Sequence, residues 1–165
     1  QVSSSAGPKT LADYGFDDAP DLDLILIPGG IGTIAELKND ALLNFLRQRC
    51  PHSQITMSVC TGSALLAKAG LLDGLAATSN KMFFELARSQ GAKVDWQESA
   101  RWVDAGQYVT SSGVSAGTDM ALAVIERVFD AELAEQVMNY TEYQWHRQAD
   151  ADPFAQLLNQ GVTPS

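Results

Sequence analysis

One cysteine of the chain stands in a sequence setting that favours nucleophilic chemistry. Cys60 follows a short β-rich segment over 54–59 and precedes the helix-forming run that starts at Ala64, with Gly62 two positions after the thiol. A nucleophile between a strand and a helix, flanked by small residues, is typical of a nucleophile elbow. Because a helix N-terminus stabilises an anion, we expect this thiol to ionise more readily than that of a free cysteine. The pattern predicts a sulfur atom that attacks an electrophilic carbon.

Two turns at predicted strand ends supply candidate donors for the oxyanion that such an attack creates. Backbone N–H groups beside a nucleophile stabilise this charge, and the N–H of Thr61 is the first candidate. Gly29 and Gly30 follow the apolar run 21–27, and glycine allows close backbone approach, so their turn is the second. Ligands of parallel sheets gather outside the carboxyl ends of strands, where both turns fall. A buried, structural cysteine is the alternative interpretation of Cys60.

The glycine turn also matches a nucleotide-binding pattern in part. The residues from Gly30 through Gly32 to Ala35 fit G-x-G-x-x-A after a strand. However, Pro28 intervenes, and no Asp or Glu lies near the end of the next predicted strand to bind a ribose hydroxyl. We therefore expect no dinucleotide and predict no cofactor.

The remaining candidate groups do not form a catalytic set with Cys60. Cys50 ends a helix before Pro51, and we interpret it as structural. His52 falls in a loop at the opposite end of the predicted sheet, and His146 lies in the C-terminal region, so each is interpreted as a surface or locally bonded histidine. Neither has metal-ligand spacing with Cys60, and no metal site is predicted.

Predicted strands and helices alternate along the chain. The run 21–27 is interpreted as a strand buried on both faces, and the apolar spacing over 33–49 predicts one amphipathic helix. The later predicted elements are strands over 54–59, 76–79, 99–103 and 107–111, and helices over 64–68 and 81–90, from near 115–119 with Ala121, Val124, Ile125 and Val128 inward, and through Leu133, Val137 and Tyr140. The alternation predicts an α/β fold with a mostly parallel sheet covered on both faces, in one domain over 1–165.

Composition excludes several classes of protein. The chain has 165 residues and a formal charge of −9, from 11 Lys and Arg against 20 Asp and Glu. An acidic chain without a basic cluster is not expected to bind nucleic acid or anionic membranes. No apolar run reaches the length of a membrane span, and the opening residues do not resemble a signal peptide, so we expect a cytoplasmic protein.

Several segments in order resemble one known superfamily, ThiJ/PfpI, and within it the isonitrile-hydratase-like branch. The resemblance covers about Thr10 to Leu158. The segments that carry it are Pro28-Gly29-Gly30, Val59 to Ser63, Ala69 to Gly74, Thr78 to Lys81, Ala100 to Val103, Thr110 to Asp119, Glu142 to His146 and Asp152-Pro153-Phe154. The same branch is similar to the amidotransferase-like domains of some transcription regulators.

The resemblance implies a flavodoxin-like three-layer sandwich, a homodimer and a small-molecule substrate. It implies Cys60 as the reactive thiol, Gly29, Gly30 and Thr61 around the oxyanion, and Asn80 as a substrate-binding residue. The Thr61 hydroxyl would orient the substrate nitrogen or a water molecule. Members similar to isonitrile hydratase add water to an isonitrile and release an N-substituted formamide, without a cofactor.

Two departures from the family pattern keep a second hypothesis open. Many relatives carry a histidine in the segment where this sequence has Asn80. The family also begins with a strand and a helix that bring an Asp or Glu to the thiol, and this sequence is expected to start after them. We therefore consider a cysteine-dependent hydratase or hydrolase first, and a non-enzymatic module that senses oxidants or binds a ligand through Cys60 second.

Overall fold

The structure is a computed structural model that describes residues 2–3 and 7–161. Its strands, in chain order, are β1 (Val2–Ser3), β2 (Lys9–Thr10), β3 (Leu24–Ile27), β4 (Ile55–Val59), β5 (Ala76–Ala77), β6 (Asp95–Trp96), β7 (Trp102–Ala105) and β8 (Tyr108–Ser111). Its helices are α1 (Thr33–Glu36), α2 (Asp40–Arg49), α3 (Gly62–Lys68), α4 (Phe84–Arg88), α5 (Val114–Val128) and α6 (Ala131–Tyr140), with 3₁₀ turns at Cys50–His52 and Ala155–Leu157.

A four-stranded sheet in the order β3-β4-β8-β7 positions the candidate site. β3, β4 and β8 run parallel, whereas β7 pairs antiparallel with β8 through a tight turn at Gly106, whose φ is +85°. The parallel strands end at the same edge of the sheet, so the turns after β3, β4 and β8 meet there. Two small sheets, β1-β2 and β5-β6, lie outside this one.

Helices cover both faces of the sheet, which makes the three-layer α/β sandwich that the sequence predicts. On one face, Ile55 and Met57 of β4 pack with Met120 and Val124 of α5. On the other face, α2 and α3 bury a larger cluster that includes Leu46, Leu66 and Leu72. β4 separates the two clusters because successive side chains of a strand point to opposite faces.

The region 24–49 differs from its sequence interpretation in two ways. β3 is not buried on both faces: Leu24 is 47% exposed and Leu26 is 58% exposed, because β3 is the edge strand of the described sheet. The predicted single helix over 33–49 is instead α1 followed by α2. The Asn39 side chain caps α2 by accepting from the N–H of Leu42, which starts a new helix inside the periodic pattern.

The inward face of α5 differs in part from its sequence prediction. In α5, Val124 is buried and Ile125 is half-buried, but Ala121 and Val128 are exposed. Met120 and Leu122 take the buried positions instead. The helix predicted through Leu133, Val137 and Tyr140 is observed as α6, which ends at Tyr140.

Among the described residues, no helix has both the length and the apolar character that a membrane crossing requires.

Candidate active site

Cys60 occupies a strained bend directly after β4. Its φ is +60°, a left-handed conformation that costs a non-glycine residue about 1 kcal/mol. Its N–H donates to the carbonyl of Ser112 at 2.7 Å. Its carbonyl accepts from the hydroxyls of Ser79, at 3.2 Å, and Ser63, at 3.3 Å. Hydrogen bonds from three separate segments therefore hold the bend, which leaves the thiol half-buried.

Two glycines allow the turn after β3 to touch the turn that carries Cys60. A Cβ at Gly29 would lie 2.5 Å from the backbone nitrogen of Thr61, and a Cβ at Gly62 would overlap the carbonyl oxygen of Ile27. Real side chains do not approach backbone atoms so closely, so only glycine fits at either position. Gly29 packs behind the bend, and its neighbour Gly30 faces the space in front of the thiol.

The Thr61 hydroxyl links the two turns. It accepts from the N–H of Gly30 at 3.0 Å and lies 2.9 Å from the hydroxyl of Thr33, which is buried at the start of α1. The N–H that we expected Gly30 to offer to an oxyanion is therefore engaged with a side chain of the protein in this structure. In contrast, the N–H of Thr61 has no acceptor among the described residues. Between the N–H groups of Gly30 and Thr61, the one without an acceptor in the described part of the chain is that of Thr61.

A cavity of about 250 Å³ opens in front of Cys60. It brings together four of the sequence-predicted site residues, namely Gly30, Cys60, Thr61 and Asn80. The rest of its lining is apolar and consists of Ile31, Ile34, Phe83 and Leu86. No lining residue carries a charge, so the cavity suits an uncharged molecule with an apolar substituent.

Asn80 forms one side of this cavity, and a hydrogen bond anchors the oxygen end of its amide. Its Oδ1 accepts from the N–H of Phe83 at 3.2 Å. Its Nδ2 lies 3.9 Å from the point where a Cβ of Gly113 would stand, next to the first residue of α5. Asn80 also lines a second cavity, of about 270 Å³.

Four buried charged residues behind Asn80 form a network that the sequence reasoning missed. We call Lys81, Arg101, Asp119 and Asp152 the ion quartet; each is at most 6% exposed. Arg101 donates from Nε to Asp119 at 2.7 Å and lies 3.5 Å from Asp152, whose other oxygen is 3.8 Å from Lys81 Nζ. Each of the four residues lies in one of the segments that carry the family resemblance. The sequence signal for the network is therefore a single charged residue within a motif of otherwise apolar or small residues.

Burial governs the ionisation of the quartet's lysine. Desolvation lowers the pKa of Lys81 from 10.5 to about 8, although Asp152 and Glu98 act in the opposite direction. The ammonium donates to the Thr78 hydroxyl at 2.8 Å and to the Ala100 carbonyl at 2.6 Å. This lysine therefore ties the segment beside Asn80 to the segment that leads into β7.

The other candidate groups lie away from the thiol. Cys50 is fully buried at the opposite end of β4, and burial raises the pKa of its thiol. His52 is exposed in the adjoining 3₁₀ turn, and His146 is exposed with its backbone N–H bonded to Asp119. Neither histidine lines the Cys60 cavity, in agreement with their interpretation as surface residues.

Comparisons with known proteins place this site in a family context. The model of the DJ-1/PfpI family matches residues 1–127. Isonitrile hydratase from Pseudomonas putida is 34% identical over 93% of this chain. The transcriptional regulator GbdR of the HTH type from Pseudomonas aeruginosa is 30% identical over 87% of this chain and 39% of its own length.

A solved structure agrees with these sequence matches. The THiJ/PfpI family protein from Pseudomonas syringae superposes with a TM-score of 0.75 at 32% identity, over 92% of this chain and 60% of that one. The chain spans 64% of the length of the isonitrile hydratase. Because the family model matches most of the chain and the fold is shared, the chain belongs to the DJ-1/PfpI family.

Proposed function

We propose that this protein is a cysteine-dependent enzyme that adds water to a small isonitrile. The observation that carries the proposal is the half-buried Cys60 thiol in front of an uncharged, mostly apolar cavity of about 250 Å³. An isonitrile is a compact, uncharged electrophile, so both the reactive atom and its surroundings suit it. Similarity to isonitrile hydratase supports the same reaction class.

In the proposed reaction, the sulfur of Cys60 bonds to the isonitrile carbon, and the thiol proton is transferred to that carbon. This gives a thioimidate in which one carbon joins sulfur, hydrogen and the substrate nitrogen. Water then adds to this carbon, the carbon–sulfur bond breaks, and the sulfur regains a proton. The product is an N-substituted formamide, and the sum of the steps is substrate plus one water molecule.

The residues around the thiol would act through hydrogen bonds. The N–H of Thr61 is free to donate to the oxygen that water brings to the carbon, because it has no acceptor among the described residues. The Asn80 amide borders the same cavity and would orient the substrate nitrogen. The lining includes no carboxylate or imidazole, so we assign the proton transfers to water molecules in the cavity.

The same observation favours a second candidate, in which Cys60 reacts once and does not turn over. A lining without an acidic or basic side chain suits a thiol that is oxidised or that binds a ligand. Similarity to the regulator GbdR supports this non-enzymatic alternative. The homodimer and the cytoplasmic location expected from the sequence stay predictions under both candidates.

A comparison of the two cysteines tests the proposal. We expect Cys60→Ala to lower formamide production from an alkyl isonitrile by at least about 10³-fold, because removal of a nucleophile has effects of this order or larger. Cys50→Ala removes the other thiol and should retain most of the activity, since Cys50 lies at the opposite end of β4. Formamide would be quantified by mass spectrometry, with circular dichroism as the check on folding.

Two outcomes would overturn the proposed enzyme. One is equal turnover by Cys60→Ala and the unsubstituted protein. The other is that the unsubstituted protein does not turn over an isonitrile but consumes one equivalent of peroxide and gains oxygen at Cys60. That result would establish the sensor.

A further inference from the structure

Two cavities of similar size share one lining side chain. The Cys60 cavity measures about 250 Å³ and the second cavity about 270 Å³. Asn80 is the one residue that lines both. The amide oxygen of Asn80 accepts a hydrogen bond from the N–H of Phe83, and the amide nitrogen lies toward Gly113 at the start of α5. The side chain therefore forms a wall that extends from the loop after β5 toward the N-terminal end of α5.

The neighbours of Asn80 keep this wall in place. On one side, the Ser79 hydroxyl donates to the carbonyl of Cys60 at 3.2 Å. On the other side, Lys81 is 2% exposed and belongs to the ion quartet. Because the residues before and after Asn80 are both anchored, its backbone cannot move away without breaking buried hydrogen bonds. The wall is thus a fixed part of the site.

The second cavity has the character of an apolar subsite. Met82, Phe154 and Leu157 form its apolar walls. Lys81 and Arg101 also line it, but their N–H groups are bound to Thr78, Ala100 and the quartet's carboxylates. Charged groups that are already paired offer little to a new anion, whereas apolar walls stabilise an apolar group.

We propose that Asn80 is a size-selecting residue that closes the second cavity to substrates of Cys60. As long as it is present, the site accepts compact, uncharged electrophiles whose substituent fits within the Cys60 cavity. A shorter side chain would join the two cavities, and bulky alkyl or aryl substituents would then reach the space between Met82 and Phe154. As a statement about natural substrates, this rests on the proposed function; as a statement about access to the thiol, it does not.

Alkylation of Cys60 tests this access without any turnover. The probes are N-methylmaleimide and N-benzylmaleimide, which share one reactive group and differ in substituent size. Rates of addition at Cys60 would be measured by mass spectrometry of peptides, with the fully buried Cys50 as the internal reference for unfolding. We expect Asn80→Ala to raise the benzyl-to-methyl rate ratio about 10-fold or more, since the space for a few carbon atoms changes rates by this order.

Matched variants separate size from other effects. Asn80→Ser also shortens the side chain and should raise the ratio as Asn80→Ala does. It serves as the test variant if Asn80→Ala is unstable. Asn80→Asp keeps the shape of the wall, so the ratio should stay at its original value. In the Asn80→Ala background, Phe154→Trp refills the second cavity, and the ratio should fall again.

The result that would overturn the proposal is an unchanged ratio in folded Asn80→Ala and Asn80→Ser. The same conclusion follows if Phe154→Trp leaves a raised ratio unaffected, because the gained space would then lie elsewhere. Failure of the proposed function would look different: formamide would not form from any isonitrile, yet the maleimide ratios would still respond to residue 80.

Discussion

The two cavities that meet at Asn80 are built by opposite means. In front of Cys60, the lining is uncharged, and close backbone contacts at Gly29 and Gly62 set the geometry. Behind Asn80, the backbone is ordinary, and four buried charges hold the segments together. The first cavity is shaped by steric contact and the second by electrostatics.

This difference shows how a thiol site can be rigid without charges beside the sulfur. A buried charge in the lining would need a partner and would attract water or counter-ions into the cavity. With the ion quartet one layer away, paired charges fix the loop and the helix that border the site, while the cavity itself keeps its apolar character. Substitutions in the two regions should therefore act through different physical effects.

The largest expected effect comes from the electrostatic region. Asp119→Asn removes the buried carboxylate that pairs with Arg101 at 2.6 Å. Because an unneutralised buried charge is costly, we expect the free energy of unfolding to fall by about 3–5 kcal/mol in urea titrations. The control is Glu126→Gln in the more exposed pair with Arg147, where less than about 1 kcal/mol is expected. Equal losses in both variants would contradict the role given to the quartet.

A smaller effect is expected from the steric region. Gly29→Ala forces a Cβ to within 2.5 Å of the Thr61 nitrogen, so the turn must shift, at about 2–3 kcal/mol of unfolding free energy. Gly32→Ala, in the same turn, is the matched control: its φ is −61° and nothing lies within 4 Å of the added carbon. We expect that variant to unfold at the same or slightly higher urea concentration. If the two variants behaved alike, close backbone contact would not set the geometry of this turn.

The smallest effect is a pH dependence that belongs to Lys81. Its pKa is about 8 in the folded chain and near 10.5 when unfolded, so between these values the unfolded chain binds more protons. Stability then rises with pH, by about 1 kcal/mol from pH 8 to pH 9. Well below pH 8 the lysine is protonated in both states, so the pH dependence disappears there, while the desolvation cost of the buried ammonium is fully present.

Lys81→Met isolates this dependence. Burial raises the pKa values of Cys50, Tyr108 and Tyr143, which lowers stability at higher pH and therefore opposes the effect of Lys81. These groups are common to both proteins and cancel in the difference between the unsubstituted chain and Lys81→Met. Urea unfolding at pH 7, 8 and 9 should show the stability of the unsubstituted chain rising relative to that of Lys81→Met, mostly between pH 8 and pH 9; a constant difference would rule out titration of Lys81.

The sequence predicts the part of the molecule that depends on local pattern. Alternating strands and helices gave the α/β class, and the small residues around Cys60 gave the bend, because a strand-to-helix turn leaves a short local signal. The same patterns also bring Gly30, Thr61 and Asn80 to one cavity, since all three follow strands whose carboxyl ends lie close together. The roles of these residues stay predictions.

What the sequence did not predict depends on contacts between distant segments. Asp152 meets Lys81 only because the C-terminal segment folds back across the start of β7, and no local spacing encodes that path. Likewise, the Thr61 hydroxyl binds Gly30 across 31 positions of the chain, which occupies the N–H expected to face a substrate. The break between α1 and α2 was missed for another reason: apolar periodicity continued across Asn39, whose side chain is the start signal for α2.

The left-handed backbone of Cys60 has a consequence for how this chain can vary. At that position glycine would relax the main chain, so the proposed nucleophile is not the residue type that the backbone prefers. Cys60→Gly would therefore relieve the backbone strain at this bend and at the same time remove the thiol. Selection for thermal stability alone would therefore favour loss of the Cys60 thiol.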